Sequence, residues 1–265
     1  MMNPTTVKEN YTPGHTANAS RFMAARDLES HGFFLLPLLQ SGFDVLDAGC
    51  GPATISADIA DAVFPGKVTA IDICPSELEH GRRLAEGREI VNLEFLAASV
   101  YEIPFADSSF NVVFSHALIE HLSDPRRALT EFHRVTRPGG FVALCSPDWD
   151  AFEISPLPMA VGRAINAYRD LQESNGGNSR AGLHLHEWLV EAGFAELVHS
   201  EWTEEHDSKE IAEYLALQLE TAGQFHHATV LRDWACDPTA RFRQSWKYAI
   251  GVRSAAHKRR KRVME

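Results

Sequence analysis

The chain has 265 residues, 45% of them hydrophobic and 23% charged, with a formal net charge of −11. That composition suits one globular domain with elaborations, long enough to bury a sizeable core. It argues against a nucleic-acid partner, because phosphate contacts need clustered Lys and Arg.

The one basic cluster, Lys258-Arg259-Arg260-Lys261-Arg262, reads as a solvated terminal tail. Cys50, Cys74, Cys145 and Cys236 have no metal-ligand spacing, and Cys74 and Cys145 read as small buried thiols beside strand ends. There is no N-terminal signal pattern and no apolar run of about 18 residues, so a cytoplasmic chain without a membrane partner is expected.

Residues 1–42 read as helical pieces with breaks at Gly32 and Pro37, and residues 43–265 as the main domain. Phe43, Val45 and Leu46 lead into the first strand, which ends on Asp47 and a turn through Gly49 and Gly51. Glycine lets the backbone turn tightly and lets a ligand lie against bare peptide groups. A carboxylate before such a turn repels a pyrophosphate but accepts hydrogen bonds from a cationic or hydroxyl-bearing ligand. Ile55, Ile59 and Val63 then give a helix stripe, closed by Phe64-Pro65-Gly66. Val68–Ile71 is the second strand and ends on Asp72, and Ser76-Glu77-Leu78-Glu79 has capping-box spacing for a helix toward Gly87.

Leu93–Ala97 and Phe110–Ser115 are the third and fourth strands, the latter apolar on both faces as an interior parallel strand should be. Asp124-Pro125 starts a helix with the stripe Leu129, Phe132, Val135; Pro138-Gly139-Gly140 stops it, and Phe141–Cys145 is the fifth strand. Residues 147–182, with three prolines and glycine-asparagine clusters, read as an insertion over the sheet edge. A short helix from Leu183 to Ala192 and a sixth strand from Phe194 to Trp202 follow, then helix from Ile211, with one last strand near Trp246 to Val252. The alternation predicts an α/β fold with a doubly wound, mostly parallel sheet.

In such a sheet, ligands bind beyond the carboxyl ends of the strands. That places Asp47–Gly51, Asp72-Ile73, Ser99-Val100, Ser115-His116 and Ser146–Trp149 around one crevice. Asp47-x-Gly49-x-Gly51, the acid ending strand two, Ile103-Pro104-Phe105 and Arg137-Pro138-Gly139-Gly140 resemble the motifs of class I S-adenosylmethionine (SAM)-dependent methyltransferases. Within them the chain is similar to the small-molecule branch that includes ubiquinone/menaquinone-type enzymes.

The resemblance implies a Rossmann-like sheet with a helical N-terminal lid over residues 1–42 and a cap from the C-terminal part and the 147–182 substrate cover. It implies SAM as cofactor and S-adenosylhomocysteine as product. Asp47, Gly49 and Gly51 would hold the methionyl end, Asp72 the ribose diol, and Ile73 the adenine. Ser99, where the family usually has Asp, and Val100 would meet the adenine amino group, and His116 follows strand four near the methionyl ammonium.

The catalytic candidates are His116 and Asp148, with Glu120 and His121 nearby; Tyr11, His15 and Trp149 are the substrate candidates, with Arg26 beside them. Tyr11, His15 and Arg26 could equally cap and solvate a mobile helix. No metal site is expected, since His184 and His186 at i, i+2 on a helix point apart. The expected reaction is methyl transfer to an oxygen, nitrogen or carbon of a small organic molecule; the alternative is a SAM-binding sensor or partner subunit without that activity. A dinucleotide site is the rival for the glycine turn, but Thr54 occupies the place of its third glycine. Oligomeric state is not legible.

Overall fold

The computed structural model describes residues 10–255; the basic cluster at 258–262 lies outside them. One seven-stranded sheet organises the chain, in the order β3-β2-β1-β4-β5-β7-β6. Its strands are β1 (Val45–Ala48), β2 (Val68–Asp72), β3 (Leu93–Ala97), β4 (Phe110–His116), β5 (Thr136–Ser155), β6 (Phe194–His206) and β7 (Arg241–Arg253). The first five are parallel, and β7 runs antiparallel between β5 and β6. The helices are α1 (Ala17–Ala24), α2 (Thr54–Val63), α3 (Pro75–Gly87), α4 (Pro125–Val135), α5 (Met159–Ser174), α6 (Ala181–Glu191), α7 (Ser208–Thr221) and α8 (Phe225–Ala235). None is long and apolar enough to cross a membrane.

Strand periodicity sorts the core into two layers. Leu46, Ile71, Val113, Val142 and Leu144 face one side with the α4 and α6 residues Leu129, Phe132, Leu185 and Trp188. Val45, Val68, Val112, Phe114 and Ala143 face the other, with Ile55, Ile59 and Val63 of α2 and with Phe34 and Leu35 of the N-terminal segment. Successive side chains of a strand point to opposite faces, so a sheet apolar on both must be covered twice. A third cluster joins α1, α5, α7 and α8 to Trp149 and Phe242, on the stretches of β5 and β7 that run beyond the parallel strands.

Local chemistry explains most boundaries. Asp124 caps α4, its carboxylate accepting from the Arg127 amide at 3.1 Å, with Pro125 at the first helical position. Asp207 caps α7 in the same way. The expected capping box at Ser76 is corrected: α3 begins at Pro75, Cys74 is the cap, and Ser76 lies inside the first turn with its hydroxyl 3.0 Å from the Cys74 sulfur. The fixed φ of Pro75 already suits the helix and moves its start forward.

The fifth strand is longer than expected. Arg137-Pro138-Gly139-Gly140 is taken into it rather than forming a separate turn, and residues 147–155 continue it, with a register shift between Asp148 and Glu153 against β7. The last strand spans Arg241–Arg253, and β6 extends to His206.

Candidate functional site

The strand order reverses at β1, which has β2 on one side and β4 on the other. A crevice opens at the carboxyl ends of such strands. Here it is a cleft lined by the ends of β1, β2 and β4 and by Tyr11, His15, Met23 and Arg26 of the N-terminal segment. Gly49 and Gly51 form its floor with φ of +74° and +52°, values that L side chains rarely adopt. A Cβ on Gly49 would also sit 2.9 Å from the Leu118 side chain, whereas one on Gly51 would meet nothing nearer than the Met23 sulfur at 3.9 Å. The backbone at Gly51 therefore faces open space. Ala53, at φ 62°, continues the left-handed path into α2.

Three carboxylates line this cleft: Asp47, Asp72 and Glu77. Asp47 is buried and accepts a hydrogen bond from the Ser56 hydroxyl at 2.5 Å. Burial pushes its carboxyl up to about 7, and the neighbouring Asp72 adds to the rise. Asp72 accepts from the amides of Gly51 at 3.0 Å and Cys74 at 2.8 Å, and burial raises it as well. Glu77 is 1% exposed; one of its oxygens accepts from Ser20 of α1, and the other has no hydrogen-bond partner among the described residues. Ile73 protrudes at the rim, 65% exposed.

The opposite wall carries His116, whose ring nitrogens are both buried without a hydrogen-bond partner among the described residues. Its ring packs 4.9 Å from that of Trp246 and 5.9 Å from that of His31. Burial, helped by Arg26 and His31, holds it well below the ordinary histidine range, so the imidazole is neutral. Tyr11 and His15 close the top as a stacked pair with ring centres 5.2 Å apart. The Tyr11 hydroxyl donates to the Met23 sulfur at 3.2 Å.

A second cavity with about 490 Å³ of open space adjoins the first and shares Tyr11, Met23, Arg26 and Ala117 with it. Its walls include Trp149, Tyr168, Tyr214 and Trp246, and its polar groups include Glu120, His121 and Gln172. Glu120 is 2% exposed, accepts from the Ser146 hydroxyl at 2.9 Å, and is pushed up to about 7 by burial. Burial drives His121 down to about 3. Arg26 lies 5.3 Å over the Trp246 ring and makes no ion pair among the described residues.

Asp47, Gly49, Gly51, Asp72, Ile73, His116, Tyr11 and His15 thus come together in the first cleft, and Trp149 lies in the second. Three expected site residues lie in neither lining. Ser99 accepts from the Tyr101 amide at 3.2 Å, Val100 is buried in the core, and Asp148 is buried with its carboxylate accepting from the Asp150 amide at 3.0 Å. Asp148 lies 3.8 Å from Lys247, facing a structural partner rather than a cavity.

Glu77, Met23 and Leu118 were missed, Glu77 because it falls between Ser76 and Glu79 in a pattern that reads as a helix cap. Tyr168, Gln172, Tyr214 and Trp246 come from three separate elements with no local motif. The described residues also hold one group with metal-ligand proximity, His15, Cys74 and Glu77, whose donor atoms lie within 4.8 Å of one another. Ser20 already occupies one Glu77 oxygen there.

Comparison with known proteins agrees with this geometry. A family profile described as a methyltransferase domain matches residues 46–144. An uncharacterised 37.1 kDa protein in transposon TN4556 of Streptomyces fradiae is 31% identical over 192 residues, covering 71% of this chain and 54% of that one. The chain therefore spans about half the length of that relative. A demethylmenaquinone methyltransferase of Listeria monocytogenes is 34% identical over 174 residues, covering 59% of this chain and 72% of that one. Among solved structures, YcgJ of Bacillus subtilis superposes with a TM-score of 0.65 at 15% identity, covering 84% of this chain and 97% of that one. The fold is shared, a Rossmann-like α/β sheet.

Proposed function

The chain belongs to the class I SAM-dependent methyltransferases, and on that premise we propose that it moves the methyl group of SAM to an oxygen, nitrogen or carbon of a small organic molecule, leaving S-adenosylhomocysteine. The observation that carries the reading is the ring of Asp47, Asp72 and Glu77 around a glycine floor. Three carboxylates repel a pyrophosphate and attract a ligand bearing an ammonium and a sulfonium. The same charges disfavour the dinucleotide alternative. The Glu77 oxygen that accepts no hydrogen bond among the described residues, 3.6 Å from His80, and the open backbone at Gly51 leave polar groups for such a ligand to satisfy.

Asp47 and the Gly49–Gly51 backbone hold the methionyl end, with its carboxylate near the positive end of α2. Asp72 retains lone pairs beyond its two amide bonds and receives the ribose hydroxyls. Ile73, exposed at the rim, packs under the adenine. SAM supplies an activated methyl group, so the protein's work is to align the acceptor and exclude water. Residues 11–24, tied to α3 by Ser20 and Glu77, form the lid that does the excluding.

Calorimetric titration with SAM and S-adenosylhomocysteine, followed by mass spectrometry of small-molecule acceptors incubated with protein and SAM, tests this. Binding of both and a 14-Da gain on an acceptor, roughly one CH₂, are the expected results. Absence of SAM binding overturns the reading.

A further inference from the structure

We propose that the second cavity is the acceptor site, that its acceptor is a planar hydroxyaromatic molecule, and that Glu120 receives the hydroxyl proton. The inference rests on the cofactor reading of the first cleft and names the substrate class that would sit beside it. Tyr11, Met23, Arg26 and Ala117 line both cavities, which sets the two side by side, as donor and acceptor sites must be.

The walls select the shape. Phe22 and Tyr214 stack with ring centres 4.2 Å apart, and Trp149 lies 4.9 Å from Tyr168. These faces suit a flat ring by offset or edge contacts.

The polar groups select the chemistry. Arg26 is the sole Arg or Lys in the described lining, and it has no carboxylate partner. An ammonium acceptor would face that guanidinium, whereas a hydroxyl gaining negative charge would be stabilised by it. Gln172 is fully buried, its amide nitrogen donating to the Glu120 carbonyl at 3.1 Å, and its Oε1 has no hydrogen-bond partner among the described residues, so an acceptor waits for a donor. Glu120 stands beside it, with Ser146 on one carboxylate oxygen and His121 3.8 Å from the other. Arg26, Tyr11, Cys145, Tyr168 and Tyr214 are the further groups that feel its charge.

In the step, the aryl O–H bond breaks with its proton going to the Glu120 carboxylate. The oxygen lone pair forms the O–CH₃ bond, and the S–CH₃ electron pair stays on sulfur. The products are an aryl methyl ether, S-adenosylhomocysteine and a protonated Glu120. A carboxylate whose proton affinity is matched to neutral pH is suited to this.

The test uses the full chain saturated with S-adenosylhomocysteine and 4-nitrophenol as probe, read by its phenolate absorbance, with ethanolamine as the amine control. Expected is saturable 4-nitrophenol binding with a gain of phenolate, weakened at least about tenfold, one decade in affinity, by Trp149→Ala. Glu120→Gln retains binding but loses the phenolate gain. Trp149→Ala and Glu120→Gln keep their affinity for S-adenosylhomocysteine, which separates failure here from failure of the cofactor reading. Absence of 4-nitrophenol binding, preference for ethanolamine, or an unchanged phenolate gain in Glu120→Gln overturns the proposal.

Discussion

The Gly51 amide donates to Asp72 Oδ2 at 3.0 Å, so the acid that ends β2 pins the turn that follows β1. One side chain thereby shapes the floor of the cleft and offers its remaining lone pairs to a ligand. Asp72→Ala removes both functions. Hydrogen bonds to a charged group contribute about 1.5–3 kcal/mol, so SAM affinity should fall roughly tenfold to a hundredfold, measured by calorimetry.

Gly49 combines a positive φ with a close approach to Leu118. Gly49→Ala should therefore distort the cleft floor, abolishing measurable SAM binding while costing the fold about 1–3 kcal/mol, readable as a fall in chemical-denaturation midpoint. Gly139→Ala, on the β4–β5 side with nothing within 4 Å of an added Cβ, should lose stability without losing SAM binding.

Asp47 and Glu120 both stand at about 7 because burial disfavours their charged forms. An acid whose folded value exceeds its unfolded one stabilises the fold fully below the unfolded value, near pH 4, and loses that contribution as pH rises through the folded value. Unligated protein should lose stability between about pH 4 and pH 7, of order 4 kcal/mol for a fully buried acid with a shift of about three units. In Asp47→Asn that loss should shrink, so its melting temperature exceeds that of wild type at about pH 8 and the gap narrows at about pH 5. A cationic ligand reverses the sense: SAM should bind more tightly as pH rises toward 8 and release a proton on binding, measured in buffers of differing ionisation enthalpy.

Arg134 organises the loop that carries Ile103-Pro104-Phe105. Its guanidinium donates to the carbonyls of Phe105 at 2.7 Å and Ile103 at 2.8 Å while pairing with Glu131, which in turn accepts from the Ile103 amide. Arg134→Met should cost about 1–3 kcal/mol and speed amide exchange over residues 103–107, with SAM affinity little changed because none of these residues lines the cleft.

The legible parts of this chain are those whose signal is local. Val45-Leu46 and Val112–Phe114 are apolar on both faces, which identifies interior parallel strands, and Asp124-Pro125 states its own helix start. The extent of β5 was hidden, because its pairing partner Arg241–Arg253 lies about a hundred residues later and leaves no trace near Pro147 or Asp148. The glycine turn and its two aspartates were legible because turn geometry demands particular residues. Ser99 and Val100 were placed at the crevice by strand topology and the family resemblance, and Asp148 by topology; in the structure Ser99 accepts from Tyr101, Val100 joins the core and Asp148 accepts from Asp150. The second cavity was legible in part, through Tyr11, Arg26, Glu120, His121 and Trp149, whereas Gln172 and Tyr214 acquire meaning when α5 and α7 pack together.

The central claim is that the cleft at β1 and β2 holds SAM through carboxylates. Calorimetric titration of wild-type protein and Asp72→Ala with SAM and with NAD tests it most directly. The account predicts one SAM site in wild type, weakened at least about tenfold in the variant, and no NAD binding to either; NAD binding without SAM binding, or equal SAM affinity in the two proteins, would contradict it.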